Sequence, residues 1–169
     1  MTTFFTTYFE NVIPLKDEII ESTLQTLYMV TATALIAGVL GLILGVILVV
    51  TDRGGILESP RLYNILDQIG NLFRSLPFII MMAWVVPLTR LIAHTSIGTT
   101  AAIVPLVIGT VPFFARQIQN ALLEVDSGVI EAAESMGSSP LEIIFRVYLK
   151  EGLTAIIRVS SVTIINLIG

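Results

Sequence analysis

From Ser22 to Val50 no residue carries a formal charge, and this run limits what the chain can become. Wound into a helix at about 1.5 Å per residue, it reaches roughly 43 Å. That exceeds the hydrocarbon thickness of a bilayer, about 30 Å, so the segment crosses with tilt to spare. A buried helix of a soluble protein rarely runs so far without one charged face. Composition points the same way. Of 169 residues, 54% are hydrophobic and 13% charged, and the mean hydropathy is +0.90. Soluble domains carry about 25% charged residues, so there are too few polar groups here to cover a water-soluble fold. The same numbers exclude intrinsic disorder, which needs low hydrophobicity and high charge. Thirteen acidic against nine basic residues leave a net charge of −4 and no basic field to hold nucleic acid. With zero cysteines, disulfides and thiolate metal sites are excluded. The expectation is an all-α polytopic membrane protein forming a single domain over 1–169.

Four spans are predicted, at about 22–50, 65–91, 92–118 and 150–169. The first contains Gly38, Gly41 and Gly45, and the Gly41-x-x-x-Gly45 pair shares one helical face. Such residues let a neighbouring helix approach closely in lipid, so packing accounts for them without a ligand. The second lies between Arg74 and Arg90, fifteen uncharged residues apart, and is interrupted by Pro77 and Pro87. Pro105 and Pro112 fall in the third. Prolines leave carbonyls without amide partners, which fits either a solvated pathway or ordinary kinks. The fourth is still apolar at Gly169.

The distribution of positive charge orients these spans. Arg53, Arg61, Arg74, Arg116, Arg146 and Lys150 fall in or beside the two long loops, against Lys16 and Arg90 on the other side, a ratio of six to two. The expected arrangement puts both long loops in the cytoplasm and the N-terminus outside. Residues 1–21 lack a basic segment before an apolar core and do not read as a cleavable signal peptide.

The loop at about 119–149 carries the densest local signals. Asp126 is placed to cap, and Gly137 to end, a helix of about ten residues. Val129, Ala132, Ala133 and Met136 form its expected apolar face, with Glu131 and Glu134 on another. Ser139, Pro140 and Glu142 then announce a second helix through a capping box with proline in the first position. Glu142, Arg146 and Lys150 follow at a spacing of four, opposite Leu141, Ile144, Phe145 and Tyr148. Helices that lie on lipid usually have basic polar faces and bulky apolar ones. This one is acidic with small alanines at its centre, which favours a protein groove.

The order Glu131-Ala132-Ala133, three residues, Gly137, nine residues, Val147-Tyr148-Leu149 resembles the EAA loop of bacterial ABC-importer permeases. Arg74-Ser-Leu-Pro-Phe78, Pro87-Leu-Thr-Arg-Leu91, Thr95 to Pro105 and Asn120 to Asp126 are similar to the methionine-import branch. The likeness runs from Ser22 onward. It implies a type I ABC-importer permease-like helical bundle, with four spans present and an expected fifth missing beyond Gly169. It also implies partners: a separate ABC ATPase subunit, a substrate-binding (lipo)protein and a second copy of the chain, all at a bacterial inner membrane. Glu131, Ala132, Ala133 and Gly137 are then the residues that dock the ATPase. Two positions depart from the family pattern. Leu149 is followed by Lys150 where Leu-Pro is usual, and Arg158 falls in the last apolar run. An arginine at a bilayer centre costs about 2.5–3.5 kcal/mol on insertion scales, so snorkelling, a polar cavity or a pair with Glu151 is expected for it.

No phosphate-binding Gly-x-x-x-x-Gly-Lys-[Ser/Thr] occurs, so ATP hydrolysis is assigned to another chain. No cofactor or metal site is expected, because the one histidine, His94, cannot build a multi-histidine centre. His94, Trp84 and Tyr28 read as packing or interface residues. The rival readings are a non-transporting scaffold that binds an ATPase through the loop, and an ion-coupled carrier. The second would show intramembrane acidic residues or an inverted repeat.

Overall fold

The computed structural model describes residues 15–168. Readings that fall on residues 1–14 and on Gly169, including most of the stretch tested for a signal peptide, lie outside the described residues. Seven helices are formed among the described residues. The first, α1, is Lys16–Thr51, and α2 and α3 are Pro60–Ser75 and Phe78–Ala93. Next come α4, Thr99–Leu123, and the short loop helix α5, Ser127–Ser135. A second loop helix, α6, is Pro140–Glu151 and the last, α7, is Leu153–Ile168.

By length and apolar character α1 and α4 each suffice to cross a bilayer, whereas α2 with α3 and α6 with α7 reach that size only as bent pairs. The stretch expected as one span at 65–91 is two helices meeting at 113°. Leu76 and Pro77 make the break. Pro77 forces the residue before it out of the helical region, and Leu76 sits at φ −80°, ψ 129°. Pro87, Pro105 and Pro112 stay inside continuous helices. One proline of the four therefore divides a span. The boundary to the next helix falls at 94–98, where His94 takes a left-handed φ of 57° and Gly98 a φ of 104°.

The central element is α4, which touches α1, α2, α3 and α7. Its contact with α1 runs along a stripe of small residues spaced by four, Thr33, Ala37, Gly41 and Gly45, all buried. A Cβ on Gly45 would stand 2.6 Å from the Ile118 Cβ and 2.8 Å from the Ala115 carbonyl oxygen. One on Gly41 would meet Phe114 Cδ1 at 2.7 Å. The two glycines of the Gly-x-x-x-Gly pair thus mark the crossing, as their spacing suggests, while Gly38 has open space beside it. Elsewhere the bundle turns apolar side chains outward. Leu35, Val39, Ile79, Trp84, Leu91 and Ile165 are all exposed, the reverse of a soluble surface.

A buried core cluster lies at the loop end. Val49 and Val50 of α1, Phe114, Ile118 and Leu122 of α4, Ala133 of α5, and Ile143, Val147 and Tyr148 of α6 form one buried cluster.

Candidate functional site

The loop helix α5 is closed at both ends by local hydrogen bonds. Asp126 caps it, its carboxylate accepting from the Gly128 N–H at 2.6 Å. At the other end the Gly137 N–H donates to the Glu134 carbonyl at 2.9 Å and the Ser138 N–H to the Ala133 carbonyl at 3.1 Å. This paired arrangement requires a left-handed residue at the position after the cap, and Gly137 supplies it with φ 79°. The chain then restarts at once. Ser139 accepts from the Glu142 N–H at 3.4 Å while the Glu142 carboxylate accepts from the Ser139 N–H at 2.9 Å. The Ser139 N–H first, and then the Ser139 hydroxyl, donate to the Glu142 carboxylate and hold it below its ordinary range, and Arg146 at 3.9 Å adds to the effect. Within α6, residues Ile144–Tyr148 form a π-helical turn. It turns Val147 and Tyr148 into the core. Burial, reinforced by Glu134, raises the Tyr148 phenol above its usual value.

These local rules place the four expected docking residues on one short helix and its turn, but not on one face. Glu131, Ala132 and Gly137 are exposed. Ala133 is 6% exposed and belongs to the buried cluster with Leu122, Ile143 and Tyr148. The expected apolar face divides in the same way. Of its four residues Ala133 alone packs inward, joined there by Ile130 from outside the expected face, whereas Val129, Ala132 and Met136 remain outside, Met136 at 79% exposure. The reason is that the loop helix packs on its own bundle and so spends part of its apolar surface there. Beside the outward strip, Leu141 and Phe145 of α6 are exposed as well.

A polar network joins α2 to α4, and sequence reasoning missed it. Arg116 pairs with Asp67 and donates to Gln119 Oε1 at 2.6 Å. The Gln119 side chain is buried and its Nε2 donates to the Tyr63 hydroxyl at 3.3 Å. Asn71 donates to the other Asp67 oxygen at 2.9 Å and is itself bonded by Arg74. Arg116 counts as a loop charge by position alone, and Asp67 as one outside the span interiors. The legible signal was the spacing of Tyr63, Asp67, Asn71 and Arg74, which repeats every three or four residues along α2.

Two grooves flank this network. One of about 310 Å³ lies between Leu40, Leu44 and Leu48 of α1, Leu66 and Phe73 of α2, and Val111 of α4. The other, about 620 Å³ and open, is walled by Phe73, Met81, Gly109, Phe113 and Leu167. Its polar members are Arg74, Thr110, Thr163 and Asn166. No pathway residue was legible beforehand. Thr110, Thr163 and Asn166 interrupt apolar helices, and the packing of α7 on α4 brings them to one groove.

Arg158 also has a definite partner. Its Nη2 lies 2.9 and 2.8 Å from the two carboxylate oxygens of Glu124, a partner outside the three expected settings of snorkelling, a polar cavity or a pair with Glu151. The bend of 67° between α6 and α7 swings α7 back over the end of α4, where Glu124 begins the loop.

A bundle of broken and bent membrane helices, carrying a loop helix capped at both ends with an exposed strip, defines a polytopic permease of the ABC-importer type. The chain belongs to the family described as binding-protein-dependent transport system inner membrane component, whose signature matches residues 41–169. It is 46% identical over 145 residues to the D-methionine transport system permease protein MetI of Salmonella typhimurium strain LT2, covering 86% of this chain and 67% of that one. The Escherichia coli K12 protein of the same description is 45% identical over the same length and with the same coverage. A probable D-methionine transport system permease protein MetI of Vibrio cholerae is 47% identical over 154 residues, 91% of this chain and 68% of the relative. Among solved structures, a chain of the MetNI methionine ABC transporter in an inward-facing conformation superposes with a TM-score of 0.90 at 42% identity. The match covers 92% of this chain and 72% of that one.

Proposed function

We propose that the chain is the membrane-spanning subunit of an ATP-driven importer for methionine or related small amino acids. The supporting observation is a shared fold at a TM-score of 0.90 with a chain of a methionine ABC transporter, together with 46% identity to a D-methionine permease. In this reading ATP is hydrolysed on a separate subunit, two copies of the chain enclose the path, and an external binding protein delivers the substrate. The loop helix lies in the cytoplasm and the N-terminus outside. Glu131, Ala132 and Gly137 meet the ATPase, and Ala133 holds the helix to its own bundle from below.

Rigidity is what makes α5 suitable for this task. A nucleotide shifts the permease between two states only as far as the contacts at the loop differ between them. A helix closed at both ends and seated on the cluster of Leu122, Ile143 and Tyr148 passes a displacement on. A frayed one would absorb it.

The test is uptake of labelled methionine into vesicles containing the full-length permease, its ATPase and its binding protein, with and without ATP. ATP-dependent uptake that unlabelled methionine abolishes is the expected result. If the ATPase co-purified but no uptake followed, the scaffold reading would replace this one. Uptake that persisted without an ATPase would return the ion-coupled carrier.

A further inference from the structure

We propose that Arg158 is a positioning residue for coupling. Its clamp on Glu124 ties α7 to the root of the loop helix, so that a push on α5 moves α4 and α7 as one body. This role rests on the importer reading above.

Glu124 is the first residue past α4, and Arg158 is the only charged side chain of α7. The ion pair bridges 34 positions and closes over the whole excursion of α5 and α6. Just below it, the chain turns at Gly152, where a Cβ would stand 2.7 Å from Leu122 Cδ2 and 2.6 Å from the Tyr148 carbonyl oxygen. The corner between α6 and α7 is therefore pressed against the end of α4, and the ion pair holds the next turn. Glu151 lines the same small cleft of about 200 Å³ as Glu124 and Arg158, yet it is Glu124 that the guanidinium reaches. The nearer acid lies on the corner itself, and a pair with it would tie α7 only to its own neighbour.

What lies further along these two helices gives the clamp its consequence. Thr163, Asn166 and Leu167 of α7 face Leu106, Gly109, Thr110 and Phe113 of α4 across the open groove. Two walls of that groove, beside those from α2 and α3, are thus the helices pinned together at the loop. With the pin in place, displacement of the loop shifts both walls; without it, α4 moves and α7 lags. A charge left alone on an otherwise uncharged helix would also seek another partner, which changes the position of α7 further.

The test uses the full-length permease assembled with its ATPase and binding protein in vesicles, with methionine uptake and ATP hydrolysis read in the same sample. Arg158→Gln and Glu124→Gln are each expected to assemble and hydrolyse ATP, while methionine moved per ATP falls about 5-fold or more, the lower range of energetic coupling between sites. The charge swap E124R with R158E is expected to recover much of the ratio, which a merely structural loss would not. Arg158→Lys retains the charge and gives an intermediate ratio even where a neutral variant assembles poorly. An unchanged ratio in the single variants, or a swap no better than either, would overturn the clamp and leave the importer reading standing. Absence of ATP-dependent uptake by the unaltered protein would remove both.

Discussion

Gly137 stands at φ 79° with open space around the position a Cβ would take, so its backbone and not its packing demands glycine. Valine there would be held in the left-handed region at about 1–2 kcal/mol, worse for a branched side chain. Gly137→Val is expected to insert and assemble normally but to lose most ATP-driven uptake, which vesicle transport beside a detergent gel filtration would check. Gly45 is glycine for the opposite reason. Its φ is ordinary and its space is taken, by Ile118 and the Ala115 carbonyl. Gly45→Ala should lower stability by about 1–3 kcal/mol, the usual cost of overpacking, seen as a lower unfolding temperature in detergent. Both positions were legible in the sequence, one as a helix end and one as half of a Gly-x-x-x-Gly pair. Ala133 was not legible. Its neighbour Ala132 has the same side chain and the same motif, and only the direction of the helix against the core separates an anchor from an exposed surface.

Among the elements, the restart at Ser139 has a pH dependence that follows from its hydrogen bonds. The Glu142 carboxyl lies below its ordinary value in the folded chain, chiefly because it accepts from the Ser139 backbone and hydroxyl. A depressed carboxylate contributes stability that is complete above its unfolded value and is lost as pH falls through the folded one. The first turn of α6 is therefore expected to loosen only below the usual glutamate range, about pH 4, and to be indifferent to pH near neutrality. Glu142→Gln keeps the capping geometry and should abolish that acid sensitivity, measurable as amide exchange at 139–143 corrected for intrinsic rates. The caps of α5 and α6 were readable from Asp126, Gly137, Ser139 and Glu142 because such signals act over three or four residues. The break at Leu76 was half readable. Four prolines looked alike in the sequence, and Pro77 alone ends a helix, because at Pro87, Pro105 and Pro112 neighbouring turns keep the helix intact.

At the scale of the molecule, α2 is held differently from the other long helices. None of its residues is fully buried, and an apolar groove beside Leu66 and Phe73 leaves part of its length unpacked against α1 and α4. Its attachment therefore leans on Asp67, Arg116, Gln119 and Tyr63. Asp67→Asn leaves Arg116 without its carboxylate in a partly buried site. The expected outcome is faster amide exchange over 60–75, with α1 and α4 unchanged, in the assembled transporter. Equal exchange in the variant would mean that apolar contacts alone secure the helix.

Hydropathy, charge distribution and capping were settled by the sequence, since each depends on residue type and on neighbours within a turn or two. They determined that the chain is helical, apolar enough for a bilayer, and interrupted by a capped loop helix with a family-specific spacing. The tertiary structure decided which residues meet: Arg158 with Glu124 instead of Glu151, Arg116 with Asp67, Ala133 with the core, Thr110 with Thr163 across a groove. Partners separated by 34 or 49 positions are chosen by helix crossing and bend angles. Those angles are set by the packing of whole helices, which no local run of residues encodes.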